Sequence, residues 1–346
     1  MSDTPSVWIQ LSWIADADTY GEEAHRLRLD LKPVRDLREA LAFGADPNDH
    51  HALHEAISRG SIGQVQALLK AGASPDKFNE VGLAPLHLAV LNREDKKVDA
   101  LLKAGANVDI CVPDVLEVEN KHQEWMAIPE KPGQTPAMMA ARQGNRLLLD
   151  KLREAGASMD GVLHAAVVGE KEAAWKAAAR LGPFYEREPM VQPLLDEGLD
   201  PNATCSAQFQ TYRKPGSFTS RNQGGEGYTP LHLCCDVNMA DSAFGLEPAR
   251  ALLSAGADPN RGNVRGDTPL HLVESDQLAS VLIEAGADPH QKNHDGQTPE
   301  NTVHNTAVKS LLRKHQLGQV AQSARPQSDL ASPEEAQARR GRGRFM

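Results

Sequence analysis

Two short phrases recur along this chain, and their recurrence limits its fold more than any other feature. The first reads GLAPLHLAV from Gly82, GQTPAMMAA from Gly133, GYTPLHLCC from Gly227, GDTPLHLVE from Gly266 and GQTPENTVH from Gly296. The second reads LLKAGASPD, LLKAGANVD, LREAGASMD, LLSAGADPN and LIEAGADPH, alternating with the first. Degenerate copies of the first stand at 52–55 (ALHE) and 161–166 (GVLHAA), and of the second at 43–48 (FGADPN) and 197–202 (EGLDPN). Such a chain is an array of one small unit, each copy packing against its neighbours.

The residue types say what the unit is. Thr before Pro caps a helix with its hydroxyl and places Pro at the first helical position, where no N–H is needed. This occurs at Thr135-Pro136, Thr229-Pro230, Thr268-Pro269 and Thr298-Pro299. Leu pairs (Leu68-Leu69, Leu101-Leu102, Leu252-Leu253, Leu311-Leu312) suit the buried stripe of a second helix. Gly in AGA suits a left-handed helix end. Asp-Pro-Asn then turns the chain, and His294-Asp295-Gly296 reads as a tight hairpin turn. Aromatics are only 4% of the chain, so its core is Leu, Ala and Val. That is thin for a β-sandwich and ordinary for stacked helices.

These phrases resemble the ankyrin repeat family over residues 34–317. The resemblance implies an all-α solenoid of helix–turn–helix units about 33 residues apart, joined by projecting β-hairpin fingers. It also implies that the recurring histidines (His54, His87, His164, His232, His271) are structural, bonding loop backbone near the finger bases.

Two markers expose where the repeat is broken: the recurring histidine position (His54, His87, Met138, His164, His232, His271, Asn301) and the capping glycine (Gly44, Gly72, Gly105, Gly156, Gly198, Gly256, Gly286). Gly72 to His87 is a step of 15, taken as the normal finger, and Gly256 to His271 repeats it. His87 to Gly105 is a step of 18, taken as the normal helix pair. Gly105 to Met138 is 33 and Gly198 to His232 is 34, so two fingers are long. Gly156 to His164 is only 8, so the finger between them is almost absent. His164 to Gly198 is 34 where 18 is normal, so that surplus falls among the helices. His232 to Gly256 is 24, a small gain, and His271 to Gly286 is 15, a small loss. About seven helix pairs follow an N-terminal half unit, Val34 to Phe43. The domain reading is a capping segment at 1–33, the solenoid at 34–317 with an irregular unit at 161–202, and a disordered tail at 318–346.

Insertions in a repeat array map to loops and tend to form the binding face. The first long finger (110–132) is acidic and carries Trp125, Met126 and Ile128. The second (203–226) is polar and Gly-rich and carries Phe209, Tyr212, Arg213, Lys214, Phe218 and Arg221. Trp, Tyr and Arg are the types enriched at interface hot spots. Trp125, Met126, Phe209, Tyr212, Arg213, Lys214, Phe218 and Arg221 are therefore the candidate partner-binding residues. The bland alternative is that these aromatics pack back onto the helices.

No constellation reads as an active site. There is no GxxxxGK[ST] phosphate loop, no GxSxG elbow and no HExxH pair. His50 and His54 stand four apart, but His54 already has a repeat role, and no metal ligand set is assigned. Cys234-Cys235 sit where the unit wants small apolar residues; Cys205 reads as the exposed thiol. Cysteines without CxxC spacing fit a reducing cytoplasm. No apolar run approaches about 18 residues, so no membrane span is expected.

A net charge of −10 argues against DNA binding and favours a protein partner with a basic patch. Trp8, Ile9, Leu11, Trp13 and Ile14 suit a cap over the first unit. The tail ends RRGRGRFM and carries net +2, enough for weak contact with an anion or RNA. The expected function is a non-enzymatic, cofactor-free interaction module, monomeric when free, gripping one protein with its concave face and long fingers. The alternatives are a bacterial inhibitor or immunity protein neutralising a toxic enzyme, and an effector delivered into a host cell.

Overall fold

The structure is a computed structural model that describes residues 37, 41, 46–48, 51–113, 133–178, 188–205, 227–235 and 242–323. Its helices come in pairs: α1 (Ala52–Ser58) with α2 (Ile62–Lys70), α3 (Pro85–Leu91) with α4 (Asp95–Lys103), and α5 (Pro136–Arg142) with α6 (Arg146–Glu154). Then follow α7 (Val162–Ala178) with α8 (Val191–Asp196), α9 (Pro230–Cys235) with α10 (Leu246–Ser254), α11 (Pro269–Leu272) with α12 (Asp276–Glu284), and α13 (Pro299–Thr302) with α14 (Thr306–Ser323). First helices pack on first helices and second on second. This is an all-α solenoid. Among the described residues there is no β-strand; the fingers are turns closed by isolated backbone pairs, such as Asn263 N–H to Asp267 O and Asn293 N–H to Gln297 O, 2.9 Å each.

The core is one continuous seam of Leu, Val, Ala and Met running from Leu37 to Leu312. Each second helix before the last ends at a glycine with φ between 84° and 97°, a conformation closed to residues with a Cβ.

The start of each first helix depends on the residue at the histidine position. In α11 the lone pair of His271 Nδ1 accepts from both the backbone N–H (3.0 Å) and the hydroxyl (2.8 Å) of Thr268. His232 does the same for Thr229, and Asn301 Oδ1 for Thr298. The expected role of threonine, hydroxyl to helix N–H, appears at Thr135, which accepts from Met138 N–H. Methionine there offers no lone pair of comparable strength, so the hydroxyl turns to the backbone.

The AGADPN phrase carries a second repeated contact. Asn260 Oδ1 accepts from Asp288 N–H of the next unit at 2.7 Å, and its Nδ2 donates to Gly286 O. Asn202 makes the same pair with Asp258 and Gly256, and Asn48 with Ser74 and Gly72. Asp76 and Asp109 keep the accepting half of this contact, from Asn107 and Ser158 N–H. These side chains pin each unit's loop to the next.

The surplus after His164 lengthens a helix. At 17 residues α7 is the longest of the first helices, whose others have four to seven. Its middle is held by charge. Arg142, at the end of α5, pairs with Glu172 at 2.6 Å; Lys171, 4% exposed, donates to Leu233 O near the end of α9. Glu170 accepts from Met190 and Val191 N–H, capping α8. First helices start beside the fingers, so α7 extends past the opposite edge. At the C-terminus α14 runs to Ser323, so positions 318–323 of the expected disordered tail are helical.

Candidate functional site

Each long finger is described at its base. In the first, Val112 N–H donates to Gln134 O (3.0 Å) and Gly133 N–H donates to Val112 O (2.8 Å). Both Ile110 and Val112 are buried, and Ile110 O accepts from His87 Nε2 at 3.0 Å. The chain therefore leaves and re-enters the solenoid at one fixed point. The second insertion re-enters at Tyr228, whose carbonyl accepts from His164 Nε2 at 2.9 Å.

The unit between them has almost no finger, and the gap is filled from below. Met138 stands where five other units have histidine, and the finger that would offer it a carbonyl is almost absent. Its side chain and that of Cys205, at the start of the second insertion, close over Gly161. A Cβ on Gly161 would lie 2.4 Å from Met138 Cε and 2.5 Å from Cys205 Sγ. The two insertions thus flank one unit of the array, with Met138, Gly161 and Cys205 between their bases.

Trp125, Met126, Phe209, Tyr212, Arg213, Lys214, Phe218 and Arg221 all lie outside the described residues, as do the capping segment 1–33 and residues 324–346. Among the described residues the exposed large apolar side chains are Phe78 and Val264, both on fingers, and Leu147 on α6. Periodicity did not single these out, because each occupies an ordinary solvent-facing slot.

The histidines are structural as expected. His54, His87, His164, His232 and His271 each donate from Nε2 to a finger carbonyl, those of Leu83, Ile110, Tyr228, Asp267 and Gln297, at 2.9–3.1 Å. Burial holds the first four down to about 4 and lowers His271 too, so all stand neutral at pH 7. Burial pushes the Cys234 thiol up to about 12, which removes it as a nucleophile. The expectation for Cys205 needs correcting. It is half-buried against Met138 and Gly161, and Cys111 is the exposed thiol. Asn202, in a glycosylation-type triplet, spends its amide on Gly256 O. Among the described residues, no group of three or more His, Cys, Asp or Glu is placed to hold a metal ion. No helix among them is long and apolar enough to cross a membrane.

A family model described as ankyrin repeats (3 copies) matches residues 34–114, and the single ankyrin repeat model matches residues 226–264 and 265–294. No curated protein matches the chain. Similar solved structures include the ankyrin repeat domain of Bcl-3, titled a unique member of the IkappaB protein family. It is 23% identical with a TM-score of 0.47, covering 77% of this chain and 99% of that one. The human ASB11 ankyrin repeat domain is 20% identical with a TM-score of 0.49, covering 76% and 96%.

Proposed function

The chain is an ankyrin repeat protein, and we propose that it is a non-enzymatic scaffold that captures one protein partner between its two long fingers and across its concave face. Ankyrin repeats mediate protein–protein interactions. The finer reading rests on one observation above all: the two insertions stand on either side of a unit without a finger. The first insertion is closed at its base by the Val112 pair, and the second is held where it returns by the bond from His164 to Tyr228 O. A base fixed in the solenoid limits the ordering entropy that binding must overcome.

In this reading Trp125, Met126, Phe209, Tyr212 and Phe218 supply apolar anchors, and Arg213, Lys214 and Arg221 supply directed polar contacts. The acidic body draws a partner with a basic patch. The buried neutral histidines and the raised Cys234 thiol favour a scaffold over an enzyme.

The test is affinity capture with the wild-type chain and a variant lacking 114–132 and 206–226. A partner retained by the wild type and lost by the variant, with unchanged helical circular dichroism and melting, supports the proposal. Equal capture by both moves the interface away from the fingers. Within an identified complex, Trp125→Ala and Arg213→Ala are each expected to weaken binding by about tenfold or more.

A further inference from the structure

Two polar contacts recur between successive units, and the joint between the pair α5/α6 and the pair α7/α8 lacks both. The first is the bond from a first-helix histidine to the carbonyl of the finger that follows, as from His87 to Ile110 O or from His164 to Tyr228 O. At this joint the histidine position holds Met138, which has no N–H to give. The second is the loop pin, in which Asn48, Asp76, Asp109, Asn202 or Asn260 accepts from an N–H of the next loop. Asp160 holds the equivalent place, since its N–H meets Ser158 Oγ just as Asp76 N–H meets Ser74 Oγ. The next loop begins at Asp200, yet among the described residues no hydrogen bond joins Asp160 to it.

Charge takes their place. Arg142 of α5 pairs with Glu172 of α7 at 2.6 Å. Glu197, at the end of α8, takes both Arg146 and Arg153 of α6, the latter at 2.7 Å. A backbone bond from Glu188 N–H to Gly144 O, 3.2 Å, also crosses the joint. The neighbouring joint has the ion pair of Lys151 with Asp99, but it keeps both recurring contacts, through His87 and Asp109. The apolar seam continues from α5 into α7. Apolar packing is non-directional, so packed helices can slide and tilt on one another; directed hydrogen bonds are what fix their angle. Partly exposed ion pairs hold an angle weakly and are screened by salt.

We propose that this joint is where the array bends, and that Glu197 is the positioning residue that sets its angle by clasping Arg146 and Arg153. The joint stands between the bases of the two insertions: the first returns at Gly133, before α5, and the second leaves after Cys205, beyond α8. In a solenoid each unit touches only its neighbours, so a change of angle at one joint carries every later unit with it. The joint therefore sets how the two bases face each other, and a partner that spans both insertions selects one angle from the range it allows. That consequence rests on capture between the insertions; the bending itself does not.

The experiment measures distances between nitroxide pairs by pulsed electron paramagnetic resonance in the full chain without any partner, with Cys111→Ser and Cys205→Ser throughout. One pair, at Lys103→Cys and Ser254→Cys, spans the joint; the other, at Lys70→Cys and Glu154→Cys, stops short of it, and all four positions are exposed. Each pair is read at about 50 and about 500 mM salt, with and without Glu197→Gln, which keeps the side chain's size and removes its charge. The expected result is a distance distribution across the joint that broadens and shifts with salt and with Glu197→Gln, while the control pair stays fixed. A spanning distribution indifferent to both overturns the proposal and assigns the angle to the apolar seam. Equal broadening of both pairs overturns it too, because the loosening would then be general. Helical circular dichroism checks that Glu197→Gln is folded, and the salt arm tests the joint in the chain with Glu197 in place. Because no partner is present, failure here leaves capture by the insertions standing, and failed capture leaves the joint standing.

Discussion

At the scale of single residues, the repeated histidine couples two bonds that run in opposite directions. Nδ1 starts its own helix, and Nε2 holds the finger of the next unit. Asn301 shows what a shorter side chain keeps, since its Oδ1 still accepts from Thr298 N–H. His232→Asn is therefore expected to preserve the start of α9 and to lose the bond to Asp267 O. That carbonyl keeps the Asn263 N–H donor, so the loss is of one net hydrogen bond, about 0.5–1.5 kcal/mol, read as a lowered urea midpoint. The same histidines set a pH dependence. Their folded values lie near 4 because burial opposes the charged form, and their unfolded values lie at 6.5. Between these the unfolded chain binds more protons, so stability is full above pH 6.5 and falls as pH drops toward 4. Urea midpoints measured across that window should fall, and less steeply in His232→Asn. A flat profile would contradict the neutral, buried assignment.

At the scale of elements, α7 is where regular repetition gives way. Its surplus turns bring a cation to the carbonyl end of α9 and a carboxylate to the start of α8. Lys171→Met keeps the stem's packing and removes the charge that Leu233 O accepts from. The expected cost is about 1–3 kcal/mol, with near-native helical content. A second close approach holds the start of α10: a Cβ on Gly245 would meet Cys234 O at 2.2 Å, a backbone atom that cannot swing aside. Gly245→Ala should therefore destabilise by about 1–3 kcal/mol. Melting unchanged by this substitution would mean that the surplus segment before α10 does not fix its position.

At the scale of the whole molecule, a net charge of −10 sets a long-range field that acts before any contact forms. Association with a basic partner is expected to slow as salt rises from about 50 to 500 mM, with dissociation changing much less. An on-rate indifferent to salt would assign recognition to apolar anchoring alone. Much of the molecular plan was legible in the chain. The count of seven pairs and the glycine caps from Gly72 to Gly286 follow from spacing between two markers. Other features were not legible. Nothing in the spacing distinguished a lengthened helix from a loop after His164, or assigned exposure between Cys111 and Cys205.

The division has a physical cause. Caps, turns and the buried stripe are decided within a few residues, so residue type and order alone determined the unit, its number and its irregularities. Lys171 meeting Leu233 O and Cys205 closing over Gly161 each join groups whose proximity depends on how elements stack and turn. Desolvation of the five histidines is of the same kind: their residue type was visible in the chain, and their burial was decided only by the packing of one unit upon the next.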